Sequence, residues 1–130
     1  MKNVAYYNGK ILPIEEMTVP LNDRAMFFGD GVYDATMSAN HTIFEPEWHL
    51  ERFYNSMQKS LIKPPLTKEA LLEEIQKCVN LTDSDGTYFV YWQVTRGTAL
   101  RSFNFPDTEP NLIIYIFPAS LTDLRKPWKV

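Results

Sequence analysis

Arg52, Arg96 and Arg101 carry the chemistry most easily read from residue type, because a guanidinium is planar, permanently charged and able to grip a phosphate or carboxylate through paired hydrogen bonds. Arg96 and Arg101 lie among aromatic residues in a segment of loop composition, where a guanidinium is well placed to meet a carboxylate. Arg52 falls in a helical pattern, where an arginine is usually solvated or ion-paired even though its fork suits a phosphate. Tyr33 follows Gly29-Asp30-Gly31 at the start of a strand-like run, so it is either a core aromatic or a hydroxyl at the rim of a site. The glycine pair allows backbone to approach a ligand closely, yet it lacks the dinucleotide fingerprint and the phosphate-loop lysine, and a tight turn explains it as well. The only histidines, His41 and His49, have no triad partners by spacing. Glu45 and His49 share a helix face without a third ligand, so no metal site is expected, and a hydrogen bond to a neighbouring loop accounts for His49.

The elements that would position these side chains can be read from turn chemistry and period. Val4-Ala5-Tyr6-Tyr7 and Ile11-Leu12 flank Asn8-Gly9, a pair that accepts the positive φ angles of a type I′ turn, which predicts an opening β-hairpin. A second hairpin is expected from Val32 to Ser38 and Thr42 to Phe44, joined through Ala39-Asn40-His41 with Asn40 as the turn residue. Leu21 to Gly31 mixes charges, aromatics and glycines without a period and reads as a shaped loop. Leu50, Phe53, Met57 and Leu61 recur at helical steps behind Pro46, a suitable first helical residue, and predict roughly three to four turns of helix stopped by Pro64-Pro65. Thr67 caps a second helix whose buried stripe is Leu71, Leu72, Ile75, Cys78 and Val79. Asp83-Ser84-Asp85-Gly86 is a turn, Thr87 to Thr95 and Asn111 to Phe117 are strands, and Gly97 to Pro110 is the loop between them. This order predicts an α+β fold, a mostly antiparallel sheet with two helices.

Composition narrows the function classes. The 130 residues, 45% hydrophobic and 22% charged, fit one domain with a core of its own. A formal charge of -3 with no block of like charges argues against nucleic acid and anionic membrane as partners. No run approaches the roughly 18 to 20 apolar residues of a membrane span. The single cysteine, Cys78, cannot form an internal disulfide, and no signal-peptide pattern opens the chain, so a cytoplasmic location is expected.

The run Asp23-Arg24-Ala25-Met26-Phe27-Phe28-Gly29-Asp30-Gly31-Val32-Tyr33-Asp34, then Ile43-Phe44, then His49-Leu50-Glu51-Arg52-Phe53 and Ser56, resembles the fold type IV (class IV) pyridoxal-phosphate-dependent aminotransferases. That family includes D-amino-acid and branched-chain aminotransferases and aminodeoxychorismate lyase. Gln93-Val94-Thr95-Arg96-Gly97-Thr98, followed by Arg101 and Phe105-Pro106, is most similar to the D-amino-acid branch. The resemblance covers nearly the whole chain but only the family's smaller N-terminal domain. It implies that residues 1–117 are that domain, that 118–130 are an interdomain linker, and that the C-terminal catalytic domain is absent.

Residue by residue, the resemblance implies that Arg52 binds the phosphate of pyridoxal 5'-phosphate and that Tyr33 and Arg101 bind the substrate carboxylate. Asp34 stands where the family often has Glu, a substrate-side position that it reaches with one methylene less. Phe103 stands where D-amino-acid enzymes have His, which removes a donor from the carboxylate trap. No catalytic residue is assigned, since the Schiff-base lysine belongs to the larger domain and Lys126 and Lys129 read as solvated linker lysines. The implied activity is amino transfer between an amino acid and a 2-oxo acid, in a homodimer, with the chain by itself inactive. Two other readings stand beside it: an aminodeoxychorismate lyase-like enzyme using the same cofactor, and a stand-alone binding or assembly domain without catalysis.

Overall fold

A computed structural model describes residues 1–83 and 85–120. Six strands, β1 (Val4–Tyr7), β2 (Lys10–Leu12), β3 (Gly31–Ala39), β4 (Thr42–Ile43), β5 (Thr87–Thr95) and β6 (Asn111–Pro118), form one sheet in the order β2-β1-β6-β5-β3-β4. Every neighbouring pair is antiparallel. The fold is therefore α+β with an antiparallel sheet and two main helices, as the order of elements predicts. Asn8 and Gly9, with φ of 46° and 95°, make the tight turn between β1 and β2. Asn40 and His41, at 48° and 61°, turn β3 into β4, so His41 shares the role expected of Asn40 alone. Most of the expected linker 118–130 falls outside the described residues, which stop at 120, and Pro118 itself ends β6.

Leu21 to Gly31, expected to be loop throughout, contains a five-residue helix, α1 (Arg24–Phe28). Asp23 accepts from the Ala25 N–H at 2.8 Å to cap its start, and Gly29 ends it in the left-handed region. One helical turn is too short to display a hydrophobic period, which is why its caps were its only sequence signal. The longer helices are α2 (Pro46–Lys59) and α3 (Lys68–Asn80). α2 stops before the prolines reach it, at Ser60 and a left-handed Leu61, while Thr67 caps α3 by accepting from the Ala70 N–H at 3.2 Å.

Alternation along the strands sorts side chains onto two faces. Tyr88, Val90, Trp92 and Val94 of β5, Leu112, Ile114 and Ile116 of β6, and Val4 and Tyr6 of β1 meet Leu50, Phe53 and Met57 of α2 and Leu71, Ile75, Cys78 and Val79 of α3. Burial of these apolar side chains supplies the main stabilisation, at about 25 cal/mol per Å² removed from water. The opposite face carries Tyr33, Met37, Phe89, Tyr91, Tyr115 and Phe117, and among the described residues no helix covers it. Its aromatics pack on one another, with ring centroids 5.2 Å apart for Tyr33 and Tyr91 and 5.3 Å for Phe89 and Phe117.

Gly31 shows what the glycine pair is for in the sheet. A Cβ there would stand 2.5 Å from the Val94 carbonyl oxygen, so β3 approaches β5 more closely than a side chain permits. Gly31→Ala is expected to lower stability by about 1 to 3 kcal/mol through this overpacking, read as a lower urea midpoint at unchanged slope.

Candidate functional site

Arg52 is built into the molecule by a buried carboxylate. α2 lays Leu50, Phe53 and Met57 on the sheet, which turns His49 and Arg52, one helical turn apart, toward Asp34 on β3. Arg52 donates from Nε to Asp34 Oδ2 and from Nη2 to Oδ1, both at 2.7 Å. The Ala35 N–H and His49 Nδ1 each meet Oδ1 at 2.8 Å. An ionised carboxylate only accepts, so His49 must present its proton on Nδ1 there. The Asp34 side chain is 2% exposed and that of Arg52 is 53% exposed, so the anion is enclosed while the cation reaches the surface. Burial alone would raise the Asp34 pKa, but the hydrogen bonds from Arg52, His49 and Ala35 outweigh it and hold the carboxyl below its ordinary value. Hydrogen bonding to Asp34 pushes the Arg52 pKa up in turn.

What remains of Arg52 is a donor edge. Of the five N–H groups of a guanidinium, two meet Asp34 and three are left. The guanidinium carbon lies 4.6 Å from the centroid of the Trp48 ring. Together they line a shallow cleft of about 320 Å³ with Glu51, Asn55, Ser56 and Lys59. Glu51 is ion-paired with Lys68, which leaves Arg52 and Lys59 as the cleft's other charges. The Ser56 hydroxyl donates to the Arg52 carbonyl at 3.0 Å and keeps its acceptor capacity. An anion with several oxygens matches this set better than any cation.

Tyr33 and Asp34 part company at this point. Successive residues of β3 face opposite sides, so Tyr33 lies 64% exposed on the aromatic face, stacked on Tyr91, while Asp34 points under α2. The Tyr91 hydroxyl donates to Gln93 Oε1 at 3.0 Å on the same face. The structure thus brings Asp34 to Arg52 and His49, and not to Tyr33 or Arg101. His49 bonds to strand β3, not to the loop expected of it. His41 meets the Thr82 carbonyl at 3.0 Å through Nε2.

Arg101 lies in the loop 97–110, and that loop is anchored by a second charge cluster. Arg24 and Arg96 both donate to Asp30 Oδ2, at 2.7 and 2.9 Å. Arg24 Nη1 also reaches the Ser102 carbonyl at 2.7 Å, and Arg96 reaches the Leu61 and Ser60 carbonyls at 3.1 and 2.9 Å. Burial opposes ionisation of Asp30, but hydrogen bonds from Arg96 and Arg24 prevail and lower its pKa. Arg101 itself has the rings of Phe28 and Phe103 at 5.0 and 5.3 Å, and no acceptor is bonded to it among the described residues. Arg96, read from sequence as a candidate for a ligand carboxylate, is consumed by Asp30 and by backbone. The clusters at Asp34 and Asp30 escaped notice because their partners lie far apart in sequence, Arg52 eighteen residues from Asp34 and Arg96 sixty-six from Asp30. The indole N–H of Trp92 was also missed: buried and without a partner, its ring lies edge-on to His49 with centroids 6.3 Å apart.

Comparison with known proteins bears on this arrangement. A family model described as Amino-transferase class IV matches residues 31–128. The chain is 33% identical over 112 residues to a D-alanine aminotransferase of Staphylococcus aureus (strain MSSA476), covering 85% of this chain and 39% of that protein. It is 36% identical over 104 residues to a D-alanine aminotransferase of Listeria monocytogenes serotype 1/2a (strain 10403S), with 79% and 36% covered. Among solved structures, the branched-chain aminotransferase of the thermophilic archaeon Thermoproteus uzoniensis, with norvaline, superposes with a TM-score of 0.80 at 16% identity, covering 90% of this chain and 41% of that one. That last likeness is one of fold. The chain spans about two fifths of the length of the relatives it matches.

The two buried acids set an expected pH response. A carboxyl whose folded pKa is depressed adds stability that is complete above its unfolded value, about 3.9 for Asp, and is lost as pH falls through the folded pKa. Stability contributed by Asp34 and Asp30 should therefore hold down to about pH 4 and decline below it. In Asp34→Asn the acid decline becomes shallower and the thermal midpoint at neutral pH falls by roughly 5 to 10 °C, measured by circular dichroism across pH.

Proposed function

The chain belongs to the class IV aminotransferases, and from that premise we propose that it is the N-terminal part of a pyridoxal-phosphate-dependent enzyme that moves an amino group between an amino acid and a 2-oxo acid. The D-alanine aminotransferases among its relatives favour a D-amino acid as donor, with a branched-chain donor as the neighbouring choice. In this reading residues 1–117 form the smaller domain, 118–130 begin the link to a larger one, and the lysine that engages the cofactor is supplied there. The observation that carries the reading is Arg52: a guanidinium fixed by a buried carboxylate, with three donors left at the edge of a cleft. That donor set fits a phosphate, so the cofactor's phosphate is assigned to Arg52, with Ser56 beside it.

Bound pyridoxal phosphate supplies an electron sink for loss of the amino acid's α-proton. The residues of this chain bind and orient. Asp34 and His49 hold the Arg52 fork, so the enclosed carboxylate acts through Arg52 and does not touch substrate. Tyr33 offers a hydroxyl on the aromatic face, and Arg101 offers a guanidinium from a tethered loop; both suit a substrate carboxylate. Leu100, Phe103 and Phe105, on the same loop as Arg101, are 86%, 82% and 61% exposed. Exposed apolar side chains on that loop fit a homodimer contact that would carry Arg101 toward a neighbouring subunit's site.

In the native chain, pyridoxal phosphate binding followed by its absorbance should weaken about 10- to 100-fold in Arg52→Gln, and Arg52→Lys should recover only part, because an ammonium keeps the charge without the fork. Equal affinity in Arg52→Gln would contradict the assignment. In a protein that continues into the larger domain, amino transfer from D-alanine to a 2-oxo acid should be measurable, and its absence with every D- and branched-chain donor would remove the transferase reading.

A further inference from the structure

Phe103 is among the most exposed large apolar residues of the chain, and neither the core nor the clusters at Asp34 and Asp30 account for it. Its neighbours do. The Phe28 and Phe103 ring centroids are 6.1 Å apart with planes at 49°, and the Arg101 guanidinium carbon lies 5.0 Å from the first and 5.3 Å from the second. Both distances fall within reach of a cation held on ring faces. Arg24 fixes both rings at once. Its guanidinium lies 4.8 Å from the Phe28 centroid, and its Nη1 donates to the Ser102 and Asn104 carbonyls, which bracket Phe103 in sequence, at 2.7 and 3.4 Å. Arg24 is itself 4% exposed and tied to Asp30, so the ladder from Arg24 through Phe28 and Arg101 to Phe103 is rooted in the interior of the domain.

We propose that Phe28, Phe103 and Arg24 are positioning residues for Arg101: the two rings hold its guanidinium in place before a ligand arrives, and Arg24 holds the rings. The inference rests on the reading of Arg101 as a carboxylate grip and adds what makes that grip rigid. An arginine side chain has many rotamers, and ordering it in advance removes a cost that binding would otherwise bear. The N–H donors of the guanidinium stay unspent, since its neighbours here are rings and no acceptor is bonded to it among the described residues.

The test uses the native chain labelled with ¹⁵N, in mildly acidic buffer, with the Arg101 Nε–H resonance identified by its loss in Arg101→Lys. The expected result is a ring-current displacement of that resonance that disappears in Phe103→Leu and returns in Phe103→Tyr, which rebuilds the face. Titration with acetate, read at the same resonance, should show about two- to fivefold weaker binding in Phe103→Leu and near-native binding in Phe103→Tyr. Arg24→Lys, which keeps a charge but cannot bridge Asp30 and two carbonyls, should lose the displacement as well; should that variant not fold, Phe28→Leu takes its place. An Arg101 resonance and an acetate affinity unmoved by Phe103→Leu and Phe28→Leu would overturn the proposal. Acetate that fails to perturb Arg101 in the native chain, with the displacement still governed by Phe103, would instead retire the carboxylate role and leave the stack established.

Discussion

The ion pair between Asp34 and Arg52 joins the two layers of the molecule, tying α2 to β3. Asp34 is enclosed on the helix face of β3, among positions that elsewhere in the sheet are filled by apolar side chains, and an anion so placed is costly unless every lone pair finds a donor. Arg52, His49 and the Ala35 N–H provide those donors. The consequence runs in both directions: the carboxylate fixes where α2 sits on the sheet and how the guanidinium is turned, and the guanidinium, half exposed, keeps a free edge at the surface. A register shift of one residue in β3 would send Asp34 to the aromatic face and undo the arrangement.

A second cluster follows the same logic with the signs exchanged. Two enclosed guanidinium groups, Arg24 and Arg96, share the single carboxylate of Asp30, and the excess positive charge is offset by backbone carbonyls of Ser60, Leu61 and Ser102. Carbonyl oxygens of irregular segments are thereby satisfied, and the loop 97–110 is bound to the chain around α1. The enclosed Asp34 thus holds Arg52 at the surface of a helix, and the enclosed Arg24 tethers the loop that carries Arg101.

Much of this fold is legible in the sequence because its signals are local. Asn8-Gly9, Pro46, Thr67 and the alternation from Thr87 to Thr95 each specify a turn, a helix start or a strand without reference to distant residues. α1 is not legible in that way, since five residues show no period. The candidate residues of the proposed site can be picked from the sequence, and their pairings cannot. Arg52, Tyr33 and Arg101 stand out by type and by resemblance, but whether Asp34 belongs with Tyr33 or with Arg52 depends on the face of β3 it occupies and on how α2 crosses it. Phe103 is instructive for the same reason. Read as a lost donor, it marks a departure from the family; in space, it is a ring against Arg101.

The central claim is that Arg52 stands ready for a phosphate while remaining bound to Asp34. Titrating the ¹⁵N-labelled chain with inorganic phosphate, and following the Arg52 Nε–H and Nη signals together, tests it most directly. The account predicts that phosphate shifts the Nη signals while Nε–H, held by the buried carboxylate, stays protected from exchange, and that Asp34→Asn abolishes the protection and weakens the binding. Phosphate that leaves Arg52 unmoved, or that binds only by releasing Nε–H from Asp34, would contradict it.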